Sequence, residues 1–171
     1  MRWLLFQMLR VLATRPGLLA LALLSGGCYL RDLRWTPVRP PRGSEARDYV
    51  VITTGYCPCG ECCGWRRNWL GRAVIASGPN AGKPKAVGMT ASGAPARDGT
   101  IAADTSIFPF GTVMYIPGYG YGRVEDRGGD IVGYHIDLYY STHGRALEHG
   151  RYKERIKVWF PPGFTPRGAG G

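Results

Sequence analysis

Glycine and proline interrupt this chain so often, 26 and 13 times in 171 residues, that little room is left for a long helix. Between the interruptions lie short β-branched and aromatic runs. These read as strands at residues 49–54, 100–103, 112–116, 122–125, 134–140 and 155–160. One short helix is expected from a cap at Ser141 or Thr142 through residues 145–149 to Gly150, and another over residues 62–70. Residues 76–99, rich in Gly, Pro, Ser and Ala, read as a long loop. An apolar fraction of 44% supplies a core for one domain of ordinary size. The pattern predicts a mainly β domain, a small barrel or sandwich with one or two short helices.

The ends read differently. Residues 1–28 carry Arg2, Arg10 and Arg15 and no acid, then an apolar stretch at 17–24 followed by Ser25, Gly26, Gly27 and Cys28. A basic start, a short apolar segment and small residues are the parts of a secretory signal. The apolar stretch falls short of the roughly twenty residues a bilayer span needs. Cys28 after two glycines resembles a bacterial lipoprotein cleavage site, although Ser25 stands where such sites usually carry leucine. Export to the periplasm or cell envelope is therefore expected, with Cys28 as the candidate lipid anchor to an outer membrane. Residues 29–48, mixing proline with charge, read as a tether, and residues 161–171 as a flexible tail. The domain proper is expected at 49–160.

The formal net charge is +10, and about +7 remains once the three N-terminal arginines are set aside. The basic residues are spread in ones and twos, without the dense run or aromatic interleaving of a nucleic-acid groove. Nucleic acid is not expected as a partner. An anionic polymer of the cell wall is compatible with the charge.

Cys57, Cys59, Cys62 and Cys63 lie within seven residues and admit two chemistries. As thiolates they suit zinc. In an exported chain they suit two disulfides, with three possible pairings. The adjacent Cys62 and Cys63 are awkward for a four-thiolate site, which ordinarily uses two separated pairs, so disulfides are preferred and no cofactor is expected. Either chemistry would pin the loop after the first strand. His135, His143 and His149 offer partners for a catalytic cysteine, but no nucleophile-plus-base signature singles one out.

Asp104, Asp126 and Asp137 each end or interrupt a strand-like run. Aspartate beside glycine is ordinarily a turn former, and Asp126, followed by Arg127, Gly128 and Gly129, fits that description. Asp137 does not, because alternation places it inside an aromatic strand on the face of His135 and Tyr139.

Taken in order, residues 54–57 (TGYC), 89–93 (MTASG), 101–104 (IAAD), 107–116 (IFPFGTVMYI), 124–133 (VEDRGGDIVG), 135–139 (HIDLY) and 145–150 (RALEHG) resemble the three-aspartate, or 3D, domain. That domain occurs in the membrane-bound lytic transglycosylase A family and in smaller exported cell-wall proteins. The resemblance covers about residues 50–160 and implies a six-stranded double-psi β-barrel. It also implies a peptidoglycan substrate, cleaved between N-acetylmuramic acid and N-acetylglucosamine. It makes Asp137 the catalytic acid and base, Asp126 its support and Asp104 the third member of the cluster. Substrate contacts are expected from Thr90, Ser92, Gly128, Gly129 and Tyr139. Arg127 stands where the family more often has a small or neutral residue, and Asp130-Ile-Val replaces a more usual Ala-Ile-Lys. Two further readings stay open beside the lytic one: hydrolysis by two carboxylates and water, and a glycan-binding barrel without turnover.

Overall fold

A computed structural model describes residues 37–166, so the expected signal, the lipidation of Cys28 and most of the tether lie outside the described residues. Eight strands and two short helices follow in the order β1 (Arg47–Tyr56), α1 (Gly60–Cys63), β2 (Trp65–Arg67), β3 (Ala73–Ile75), β4 (Thr100–Ala103), β5 (Val113–Ile116), β6 (Gly120–Asp126), β7 (His135–Tyr139), α2 (His143–His149) and β8 (Tyr152–Trp159). Six of the strands close into a barrel in the order β1-β7-β4-β6-β5-β8, and β2 and β3 form a separate hairpin. The barrel is mixed: β1 with β7 and β4 with β6 run parallel, and the remaining pairs are antiparallel.

The core is built by alternation. Val51, Ile101, Ala103, Met114, Ile116, Val124, Ile136, Leu138, Ile156 and Val158 point inward from the six barrel strands, with Phe108 from the loop after β4. Phe108 meets Tyr49 edge-on at 5.4 Å and lies parallel to Phe160 at 6.3 Å, which closes one end of the barrel with aromatic rings.

Each strand expected from the sequence is present, at its expected bounds for 100–103 and with shifted ends elsewhere. β1 starts at Arg47, inside the stretch read as tether, because Arg47 and Asp48 pair with Val158 and Lys157 of β8. α2 begins as expected, with the Thr142 hydroxyl accepting from the Arg145 N–H. The helix expected over 62–70 is not there. Its place is taken by the single turn α1, opened by Cys59 and stopped by Gly64 in the left-handed conformation (φ 59°), after which the chain enters β2. The β2–β3 hairpin lacked a sequence signal because each strand has only three residues. Residues 76–99 form no helix or strand, as expected for a long loop.

α2 packs on β1 through a close backbone approach. A Cβ placed at Gly55 would fall 2.6 Å from the Ala146 carbonyl oxygen, so only glycine lets the helix lie this near the strand.

Candidate active site

Register brings two of the three aspartates into one row across the sheet. Asp137 on β7 pairs with Ala102 on β4, and Ala102 pairs with Asp126 on β6. A register shift between Ile101 and Ala102 makes this alignment possible. Two inter-strand steps separate the aspartate backbones by about 10 Å, and the residue between them is a nearly buried alanine that leaves the space above it free. A cavity of about 740 Å³ opens over this row, with Asp126, Asp137, Ala102, Thr54, Tyr56 and His135 among its lining residues.

Asp137 is held from the neighbouring strand. Thr54 is its register partner on β1, and the Thr54 hydroxyl donates to Asp137 Oδ1 at 2.9 Å while also lying 2.9 Å from His135 Nε2. Burial pushes the Asp137 carboxyl above the ordinary carboxylate range. The Thr54 hydrogen bond and His149 pull it back, and Asp126 adds to the rise. Burial and the charge of Arg151 lower the pKa of His135, which favours a neutral ring.

Asp126 is held by more donors. Its Oδ1 accepts from the backbone N–H groups of Ala91 and Arg127, each at 2.9 Å, and its Oδ2 accepts from the Tyr56 hydroxyl at 3.1 Å. Burial first, and Asp126 second, raise the pKa of Tyr56, so this hydroxyl remains a donor. Asp126 is therefore both a turn residue, as its glycine neighbours suggest, and part of the cavity wall.

Asp104 is placed differently. Its Oδ1 accepts from the Ser106 hydroxyl at 2.6 Å and the Ser106 N–H at 3.0 Å, and its Oδ2 from the Gly133 N–H at 2.9 Å. These bonds, the Ser106 hydroxyl foremost, lower its pKa. Asp104 is not among the residues lining the cavity. It ties the loop after β4 to Gly133 just ahead of β7, and so fixes the approach to Asp137.

Of the expected substrate contacts, Thr90, Gly128, Gly129 and Tyr139 line the cavity. Thr90 is nearly buried, and its hydroxyl is engaged with the Ala94 backbone and the Ser92 hydroxyl. Ser92 is not among the lining residues. Its backbone N–H bonds the Glu125 carbonyl and docks the loop on β6. Gly128 sits where a Cβ would come 2.8 Å from the Ile131 side chain, which keeps the turn after Asp126 tight. Thr54, Tyr56 and Lys85 also line the cavity without having been singled out as site residues. The alternation of β1, with Val51 facing the core, was the available signal for Thr54 and Tyr56. Lys85 lies in the long loop, where no periodicity could mark it.

The four cysteines are unbridged, and Cys62 and Cys63 are among the residues lining this cavity. Cys57, Cys59 and Cys62 gather round His143 Nδ1, whereas the Cys63 thiol donates to the Cys57 carbonyl at 3.2 Å. Burial pushes the Cys63 thiol up to about 11.

A closed six-stranded barrel with two carboxylates in register beneath an open cavity defines a small β-barrel protein with an acidic site. Residues 99–160, which run from β4 through β8, match the 3D domain family. The chain is also similar to the putative cell wall shaping protein YabE of Bacillus subtilis (strain 168), with 33% identity over 58 residues, 34% of this chain and 14% of that protein. Among solved structures it is similar to MltA from E. coli, at 24% identity and TM-score 0.36, over 45% of this chain and 29% of that one. A variant of the E. coli lytic transglycosylase MltA gives 26% identity and TM-score 0.35, over 45% and 28% of the two chains. The chain thus spans less than a third of the length of each of these relatives. No helix among the described residues is long and apolar enough to cross a membrane.

Proposed function

We propose that this domain cleaves the glycan of peptidoglycan between N-acetylmuramic acid and N-acetylglucosamine by a lytic, water-free route, with Asp137 as acid and base. One observation carries the reading. Asp137 is a half-buried carboxyl with a raised pKa, in register with a second carboxylate across a small residue, beneath a cavity large enough for sugar rings. The 3D domain match over residues 99–160 and the likeness to a cell wall shaping protein support the wall polymer as substrate.

The glycosidic oxygen leaves only when protonated. Asp137 donates its proton to that oxygen, the bond to the anomeric carbon breaks, and positive charge develops on the sugar. Asp126, fixed by two backbone donors and Tyr56, faces that charge without leaving its place. The Asp137 carboxylate then takes the proton of the muramic acid 6-hydroxyl, whose oxygen bonds to the anomeric carbon. Asp137 ends protonated, and the product is a 1,6-anhydro sugar. Thr54 serves both states of Asp137: its hydroxyl donates to the carboxylate, and when Asp137 holds the proton it can turn to His135 Nε2. Lys85 and Arg127 offer cations to an anionic glycan at the rim, where the family's usual lysine is replaced by Val132.

The test is digestion of purified sacculi followed by mass analysis of the released muropeptides. Anhydro ends are expected. Reducing ends would transfer the site to a two-carboxylate hydrolase, and no release at all would leave a glycan-binding barrel. Undiminished product from Asp137→Asn would remove Asp137 as the acid.

A further inference from the structure

We propose that Cys57, Cys59, Cys62 and His143 form a structural zinc site that clamps the end of β1 to the start of α2. Four potential ligand atoms from these residues lie within 4.8 Å of one another. The spacings within that group are those of a coordination sphere. The three sulfurs stand 3.7, 3.5 and 3.4 Å from His143 Nδ1, and Cys57 Sγ stands 3.7 Å from Cys62 Sγ. Tetrahedral zinc with ordinary bond lengths sets its sulfur-to-nitrogen edges at about 3.6 Å and its sulfur-to-sulfur edges at about 3.8 Å. A disulfide would need sulfurs about 2.05 Å apart, and it would leave unexplained why a third sulfur and an imidazole nitrogen converge on the same point.

The surroundings fit the same reading. His143 turns Nδ1 to the sulfurs and Nε2 to Glu61, whose Oε2 lies 3.5 Å away. A carboxylate behind the free nitrogen of a ligating histidine fixes its tautomer and orientation. The Cys62 N–H points at Cys59 Sγ at 3.4 Å, a donor that supports a thiolate. Three sulfurs and one nitrogen complete a tetrahedron, so the site is closed and structural rather than open and catalytic. Cys63, which made a four-thiolate site awkward on the sequence alone, is not a ligand. Its side chain turns away to the Cys57 carbonyl, and His143 from a distant part of the chain takes the fourth position.

The position gives the metal a purpose. Cys57 directly follows β1, which carries Thr54 and Tyr56, and His143 opens the helix after β7, which carries Asp137. The clamp would join the two ends that hold the acidic row from one side. This inference rests on the cysteine and histidine geometry and is independent of which glycan bond, if any, is cut.

The test is metal analysis of the full chain, purified without a metal-affinity step, under both reducing and non-reducing conditions. About one zinc per chain is expected, and cobalt substitution should give the strong visible bands and sulfur-to-cobalt charge-transfer absorption of a tetrahedral thiolate site. Cys59→Ser and His143→Ala should each lower zinc retention at least about tenfold, while Cys63→Ser should keep it. His143→Cys should retain zinc and strengthen the charge-transfer band, which separates ligand loss from misfolding. Metal-free protein with the sulfurs joined as disulfides would overturn the proposal. So would zinc retained undiminished in both Cys59→Ser and His143→Ala, or zinc lost from Cys63→Ser as readily as from Cys59→Ser.

Discussion

Replacing Gly55 by alanine adds one methyl group, and the structure says where it must go. The new Cβ would sit 2.6 Å from the Ala146 carbonyl oxygen and 3.1 Å from Ala146 Cα, both backbone atoms of α2, and 3.2 Å from the Tyr140 ring. Ordinary contact begins near 3.4 Å, so roughly 0.8 Å of separation has to be found, and neither β1 nor α2 can supply it by turning a side chain. Overpacking of this kind costs about 1–3 kcal/mol, which lowers the melting temperature of a domain this size by roughly 5–15 °C. Gly144→Ala is the matched control. It lies in the same helix with nothing within 4 Å of the added carbon and no positive φ. There the methyl group should be neutral or add up to about 1 kcal/mol through helix propensity and a less flexible unfolded chain. Urea denaturation of the two variants beside the wild type measures both signs at once. If Gly55→Ala stays within about 0.5 kcal/mol of wild type, the close approach of α2 to β1 is not a constraint and the account of Gly55 is wrong.

Asp137→Asn should be more stable than wild type at neutral pH, because the folded protein holds the Asp137 proton more tightly than the unfolded chain does. The wild type is fully relieved of that penalty below the unfolded carboxyl value, about 3.9, and loses stability as pH rises through the raised folded value; denaturation midpoints of the two proteins should therefore converge in acid and separate toward neutrality, and parallel curves would refute the burial argument. Thr54→Val removes the hydrogen bond that holds the Asp137 pKa down, so the alkaline limb of the pH–rate profile on sacculi should move to higher pH; a shift to lower pH would contradict it.

The fold was legible where local chemistry repeats. Residues 100–103 read as a strand because a β-branched pair leads two alanines, and all four prove buried. α2 was legible from Thr142 and Gly150 because caps are local. The region after β1 misled because residues 62–70 hold a single glycine, Gly64, which the helix reading passed over, and in its left-handed conformation that residue ends the helix after one turn. The acidic row was harder still. Asp126 and Asp137 are eleven residues apart in sequence, and their alignment through Ala102 depends on strand order and on one register shift, which no periodicity carries. His143 illustrates the same limit. Its spacing from the cysteines, more than 80 residues, has no motif length to find, and the two regions meet through the parallel pairing of β1 with β7 and the packing of α2 on β1.

Two aspartates facing one cavity sit in different surroundings. β7 lies between β1 and β4, so Asp137 projects from a strand hydrogen-bonded on both sides, and it receives one side-chain donor, Thr54, together with the Leu138 backbone. Asp126 ends β6, where the chain turns away and its own next N–H, together with those of Ala91 and the Tyr56 hydroxyl side chain, becomes free to bond the carboxylate. A carboxyl inside a strand is desolvated with few donors and keeps its proton more readily, whereas one at a strand end collects the unpaired donors of the turn. The proposed division of labour, with Asp137 as the acid and Asp126 as its support, therefore rests on where each aspartate falls along its strand.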